Sequence, residues 1–228
     1  MALWAISFTT RARNLTVGPP VFQTSAIVIE TPYTPFHDFS VATRIDVQNG
    51  NLIGMFFSKK EENIPRVIQR LEQRRKESLN SPLRILALLY EEYGSNAEEW
   101  RKELDREVVR IEQTTGMTSL VLTDHAWEEM EYKRLIRDLH ACNTNLIFLG
   151  DLIHFEIDFG ELCYKLFDIF EDLRKSAGKS AFHAPQTKDE IHKSLAFLLK
   201  LSYFRQQQTQ ALRMRIQSQT NLVSLSRP

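Results

Sequence analysis

Asp151, His154 and Asp158 are the residues of this chain best spaced for metal chemistry. At i, i+3 and i+7 they fall on one face of a helix, with Glu161 close by, and carboxylate and imidazole groups are what divalent cations take as ligands. A single helix offers a hard cation too few oxygens, so such a site binds magnesium weakly unless a neighbouring helix or subunit adds more. The same spacing also describes a solvated helical face, on which Glu161 pairs with Lys165. That second reading requires nothing further.

Other chemistry-bearing groups are excluded by their spacing. Ala177-Gly178-Lys179-Ser180 has the closing residues of a phosphate-binding loop, but the glycine required five places before Gly178 is Leu173. His140 and Cys142 are two positions apart and point to different helix faces, which separates imidazole from thiol. His125 stands beside Glu128 and Glu129 without the second histidine of a zinc-protease helix. Cys142 and Cys163 have 20 residues between them; on one helix that is roughly 30 Å, too far for a disulfide. They read as reduced, half-buried thiols in a reducing compartment. No nucleophile elbow, dinucleotide-binding or paired CxxC motif occurs, so no enzyme and no cofactor are expected beyond weak magnesium binding.

Composition narrows the class. The chain has 228 residues, 43% apolar and 25% charged, which is globular and large enough for a real core. Basic and acidic residues both total 29, so no global charge points to nucleic acid. The best apolar stretch, residues 145–159, is interrupted by Asp151, His154, Glu156 and Asp158 and falls short of the about 18 residues a membrane helix needs. The first 29 residues lack acids and carry Arg11 and Arg13, as a transit peptide would, although their alternation suits a strand equally. The expected location is the cytoplasm or the cytosolic face of a membrane, with mitochondrial targeting the lesser reading.

The elements that must position these residues change character near residue 60. Residues 21–30 (VFQTSAIVIE) are β-branched, and residues 40–47 and 52–58 flank Asn49-Gly50, a two-residue hairpin signal. Val41, Thr43, Ile45 and Val47 alternate with Ala42, Arg44 and Asp46, as one covered sheet face requires. From Asn63 the period becomes helical, with Ile64, Val67, Ile68 and Leu71 in a stripe running to about residue 79. Ser81-Pro82 opens a buried helix over residues 83–93, broken at Gly94, after which Ser95-Asn96-Ala97-Glu98 forms a capping box for a helix ending near Gly116. A long helix follows from Thr123 or Asp124 towards Lys175, with a 3-4 seam of Tyr132, Leu135, Leu139, Cys142, Leu146, Leu149 and Ile153 and a bend expected near Gly150 or Gly160. After a loop over residues 176–186, Thr187-Lys188-Asp189-Glu190 caps a last helix of residues 187–223, roughly 50 Å long. The fold class expected is α+β, mainly helical: a small N-terminal sheet with its hairpin packed on long antiparallel helices, the last stalk-like. It forms a single domain, divided into residues 1–60, 61–122, 123–186 and 187–223.

The last helix carries the most useful signal. No acid follows Glu190, while Lys193, Lys200, Arg205, Arg213, Arg215 and Arg227 are basic. Its seam runs Ile191, Leu195, Leu198, Ser202, Arg205, Thr209, Leu212, Ile216, Gln219 and Val223, apolar at both ends and wet in the middle. Leu212, Ile216, Leu222 and Val223 have no following segment to cover them, so residues 187–223 are expected to self-associate or to touch an anionic membrane surface. A helix docked on its own domain with a solvated basic side is the plainer alternative. Nucleic acid ranks last, because only Tyr203 and Phe204 are interleaved with the basic residues.

On these residues a resemblance rests. Asn96-Ala97-Glu98-Glu99-Trp100-Arg101, with Leu104 and Val108, resembles the segment before the long helices of divergent fungal CorA-like magnesium transporters. Residues 135–170 are similar to their next helix. Arg213-Met214-Arg215-Ile216-Gln217-Ser218-Gln219-Thr220-Asn221-Leu222-Val223 resembles their glutamine-rich stalk helix. The resemblance covers residues 80–223, and the start more loosely. It implies a cytosolic α/β domain, a stalk helix, a homopentameric funnel and magnesium flux through a pore with Gly-Met-Asn at its mouth. The Gly-Met pairs here are Gly54-Met55-Phe56 and Gly116-Met117-Thr118, and no metal ligand of the family transfers to a position of this chain. The expected function is therefore a cytosolic, regulatory domain of a CorA-like transporter, truncated before the pore, inert in magnesium flux by itself and able to co-assemble with a full-length relative through residues 187–223. The alternative, of a different class, is a soluble coiled-coil interaction or scaffold protein.

Overall fold

The computed structural model describes residues 24–31, 40–46, 52–57, 63–73, 83–116, 129–181 and 185–225. The Asn49-Gly50 turn, the Ser81-Pro82 cap, His125 and the basic N-terminal segment lie outside them. Three strands, β1 (Thr24–Glu30), β2 (Ser40–Asp46) and β3 (Leu52–Phe57), precede four helices, α1 (Asn63–Gln73), α2 (Arg84–Thr114), α3 (Glu129–Ser176) and α4 (Pro185–Leu225). The fold is α+β and mainly helical, as the change of period near residue 60 requires.

The sheet is an antiparallel meander in the order β1-β2-β3. Val41, Thr43 and Ile45 on the central strand are buried, while Arg44 between them is exposed, so one face is covered. Its register is offset by two residues from the one a two-residue turn gives. Ile45 pairs with Leu52, whereas a two-residue turn on Asn49-Gly50 would set Ile45 opposite Gly54. A slip of two residues leaves every side chain on its own face, so the alternation does not sense it. On α1, Val67 is buried but Ile68, expected in the same stripe, is exposed.

Two compact units divide the chain: residues 1–93 with 155–200, and residues 94–154 with 201–228. In the first, Tyr90 meets Phe159 edge-on with ring centroids 5.7 Å apart, and Tyr93 meets Phe155 at 5.2 Å. Such pairs add about 0.5–1.5 kcal/mol each beyond the area they bury. Gly160 makes the approach of Tyr90 feasible, because a Cβ there would lie 2.5 Å from the tyrosine Cζ. In the second unit Trp100, Leu104, Val108 and Ile111 of α2 and Leu135, Leu139, Cys142, Leu146 and Leu149 of α3 are buried, as their spacing predicts.

Helix boundaries depart from the expected ones in three places. Gly94 does not break a helix: α2 runs through it. Leu86, Tyr90, Tyr93, Ala97, Trp100 and Leu104 stay in phase across Gly94 and are all buried, which outweighs the about 1 kcal/mol that a helical glycine costs. Glu98, expected to close a capping box, instead takes both oxygens to Arg101 at 2.9 Å. Helix α4 begins at Pro185, two residues before Thr187, because a proline has a suitable φ and no N–H to leave unbonded in the first turn. The Gly178 segment, excluded above as a phosphate loop, is the stop signal of α3. Gly178 adopts φ 70°, its N–H donates to the Lys175 carbonyl at 3.0 Å, and that of Lys179 donates to Arg174 at 3.0 Å.

The two interior glycines of α3 separate packing from propensity. At Gly150 the nearest atom to an added Cβ is Arg213 Nη2 at 3.8 Å, an ordinary contact. Gly150→Ala should therefore raise stability by about 1 kcal/mol and the melting temperature by roughly 2–4 °C. Gly160→Ala gains the same propensity but overpacks Tyr90, at a cost of roughly 1–3 kcal/mol. Scanning calorimetry should show shifts of opposite sign; equal shifts would rule out the close approach at Gly160.

Candidate functional site

The three residues singled out for metal chemistry, Asp151, His154 and Asp158, all lie on exposed positions of α3. Glu161 pairs with Lys165 at 3.6 Å, as the solvated-face reading expects. Among the described residues no group of three or more His, Cys, Asp or Glu side chains is gathered as a metal would need. The two thiols are buried more deeply than their half-buried reading implied. Burial, reinforced by Glu107 and Asp138, pushes Cys142 up to about 11, and burial alone raises Cys163 further. Neither is a nucleophile in this state.

The polar chemistry is concentrated where α4 meets its neighbours. In the second unit Arg215 donates from Nε and Nη2 to both oxygens of Glu112 at 2.8 Å, and from Nη1 to Asp105 at 2.6 Å. The bond to Glu112, and then that to Asp105, raise an already high guanidinium pKa against the opposing effect of burial. Arg110 bridges Asp138 at 2.7 Å and Glu107 at 2.8 Å from a more exposed position. The Thr115 hydroxyl donates to Gln219 Oε1 at 2.8 Å inside the unit. Sequence reading could identify these side chains but not their pairing.

The seam of α4 corrects two expectations. Its middle is dry: Ser202, Arg205 and Thr209 are buried, with Arg205 donating to the Ser202 hydroxyl at 3.3 Å and Thr209 to the Arg205 carbonyl at 2.9 Å. Its end is covered: Leu212, Ile216 and Val223 are buried within the chain itself. Local hydrogen bonds satisfy the polar positions, so they go inside with the apolar ones. An open groove of about 280 Å³ lies between the ends of α3 and α4, floored by Leu139, Ile216 and Val223. The hydroxyls of Thr220 and Ser224 on its rim donate to carbonyls one turn back, and His140 lines the same groove.

The opposite face of α4 is where large apolar groups meet solvent. Tyr203, Met214 and Leu225 are 42%, 64% and 86% exposed. Spaced eleven apart, or close to three whole turns, they fall in one line, with Gln207, Gln210, Gln217 and Asn221 around them. The stripe has no charged residue, in a chain that is 25% charged.

In the first unit Lys188 donates to Asp168 Oδ1 at 2.8 Å, and His192 Nε2 lies 3.9 Å from the same oxygen. The His192 ring packs on Tyr164 at 4.7 Å and meets Phe167 edge-on at 5.9 Å. Lys188 chiefly holds the Asp168 carboxyl below its ordinary range.

Among the described residues no helix is long and apolar enough to cross a membrane. Compared with known proteins, the chain matches no family model and no curated protein.

Two substitutions test these joints. Arg215→Ala leaves the half-buried Glu112 without its guanidinium and should cost about 2 kcal/mol, or roughly 4–8 °C in melting temperature. Arg110→Ala, acting on a more exposed bridge, should cost under about 1 kcal/mol. Thermal melts in which the two lose equal stability would refute the clamp.

Asp168 gives a pH dependence of definite sign. Its folded pKa is depressed, so its contribution is complete above the unfolded value of about 3.9 and is lost as pH falls through the lower folded value. Urea unfolding of Asp168→Asn should give a shallower loss of stability below about pH 4 than the parent chain, with the curves closest at the acid end. A wider gap at low pH would reverse the assignment.

Proposed function

We propose that this chain is a non-catalytic helical assembly domain of CorA-like type, which works by binding a second copy of itself along the outer face of α4. The observation that carries the reading is the uncharged line of Tyr203, Met214 and Leu225, exposed on the side of the helix opposite its buried seam. Aligned on one face about 16 Å apart, the three apolar groups offer a second copy three anchor points along the helix. Gln217 donates to Asn221 within the helix at 3.0 Å; the donors and acceptors that remain on these two and on Gln207 and Gln210 let two identical faces satisfy one another without like-charge repulsion.

The resemblance adds the setting: the cytosolic face of a membrane, beside a divalent-cation pore formed by a full-length relative. A regulatory role for magnesium rests on that resemblance and on the exposed carboxylates Asp151 and Asp158. The self-association expected from residues 187–223 is kept in this reading but moves from the inner seam to the outer stripe.

Sedimentation of the purified chain between micromolar and millimolar concentration tests the proposal. The parent should associate, and Met214→Glu should sediment as a monomer with an unchanged circular dichroism spectrum, since Met214 is exposed. A parent monomeric throughout that range would overturn the assembly reading. Association weakened tenfold or more by magnesium, and restored by Asp151→Asn with Asp158→Asn, would support the transporter setting; association insensitive to magnesium favours a plain scaffold.

A further inference from the structure

The stretch Arg213-Met214-Arg215-Ile216-Gln217-Ser218 places guanidinium groups five and three residues before a serine. Kinases whose substrate grooves are lined with carboxylates select acceptors by this charge pattern. Ser218 is exposed on α4, and among the described residues its hydroxyl makes no hydrogen bond. Its neighbours differ: Thr220 donates to the Ile216 carbonyl at 2.9 Å and Ser224 to the Thr220 carbonyl at 2.8 Å. Ser218 is thus the hydroxyl in the last turns of α4 that is not engaged by the backbone.

Its position relative to Arg215 gives a modification something to act on. Residues three apart on a helix are neighbours, and Arg215 is the group that ties α4 to Asp105 and Glu112 of α2. We propose that Ser218 is a phosphorylation site for a basic-directed serine/threonine kinase, and that its phosphate draws Arg215 away from Asp105 and Glu112. In the transfer, Ser218 Oγ attacks the γ-phosphorus of ATP. The Oγ–P bond forms as the bond from that phosphorus to the bridging oxygen breaks; ADP leaves and the hydroxyl proton passes to the kinase base.

The product competes for one guanidinium. A phosphoserine carries about −1.5 to −2 charge and three acceptor oxygens, against one carboxylate each from Asp105 and Glu112. Withdrawal of that guanidinium loosens the end of α4 from α2. A kinase must hold the acceptor segment extended, so access depends on opening the last turns of α4 from its C-terminal end. The folded chain should therefore be phosphorylated more slowly than the free segment, but at the same residue.

The full chain and a synthetic peptide of residues 211–224 are incubated with a basic-directed kinase and magnesium ATP, the site is mapped by mass spectrometry, and amide exchange over residues 209–225 is followed. One phosphate should enter the chain at Ser218, vanish in Ser218→Ala and enter roughly tenfold more slowly in Arg213→Ala, whose side chain is exposed. Amides of the last three turns should then exchange about tenfold faster, and Arg215→Ala should show fast exchange before any phosphate is added. Failure of both chain and peptide to take phosphate would overturn the site, as would phosphorylation of the peptide alone. Phosphorylation at Ser218 with exchange unchanged would overturn the release of Arg215.

Discussion

The packing of α4 depends on placing four polar side chains, Ser202, Arg205, Thr209 and Gln219, inside the protein with the apolar ones. A buried polar group left without a partner costs about 1–3 kcal/mol, so four such failures would cancel much of the stability of a domain this size. Each is provided for close by. Thr209 bonds the preceding turn, Arg205 reaches Ser202, and Gln219 accepts from Thr115, just past the end of α2. This arrangement lets the seam from Ser202 to Val223 remain buried, and it sets which face of the helix is left to solvent.

Charge reinforces the same geometry. The chain is neutral in total, with 29 acids and 29 bases, but the signs are segregated along it. No acid follows Glu190, and Arg215 of that region is neutralised from α2, by Asp105 and Glu112. These partners lie 110 and 103 residues earlier in the chain. Long-range segregation of charge therefore acts as an instruction for pairing α4 with α2, on top of the hydrophobic pattern.

How much was legible in the sequence follows from which interactions are local. The change from period 2 to period 3.6, the strands and the seams of α2, α3 and α4 were readable, because each is a repeat within one element. What failed was decided between elements or by compensation. Gly94 and Ser95 to Glu98 look like a helix end until the burial of Tyr93 and Trp100 on either side is weighed. Ser202, Arg205 and Thr209 look wet because a window of sequence cannot see their hydrogen bonds. The slip at Ile45 and Leu52 is invisible because it preserves alternation. At the candidate site, the shared face of Asp151, His154 and Asp158 was legible from spacing. The Arg215 clamp was not, since nothing near Arg215 in the chain names its partners.

The line of Tyr203, Met214 and Leu225 has a geometric consequence of its own. The buried seam of α4 repeats every seven residues, 3.5 to the turn, slightly less than the natural 3.6, and helices packed on such a seam coil left-handed. The exposed line repeats every eleven, about 3.67 to the turn, and a partner helix following it coils right-handed. One helix thus presents two faces of opposite hand. A helix that fits the inner face well would drift off the outer one within a few turns, so the partner that holds α4 in place and a partner that meets it from outside cannot exchange positions.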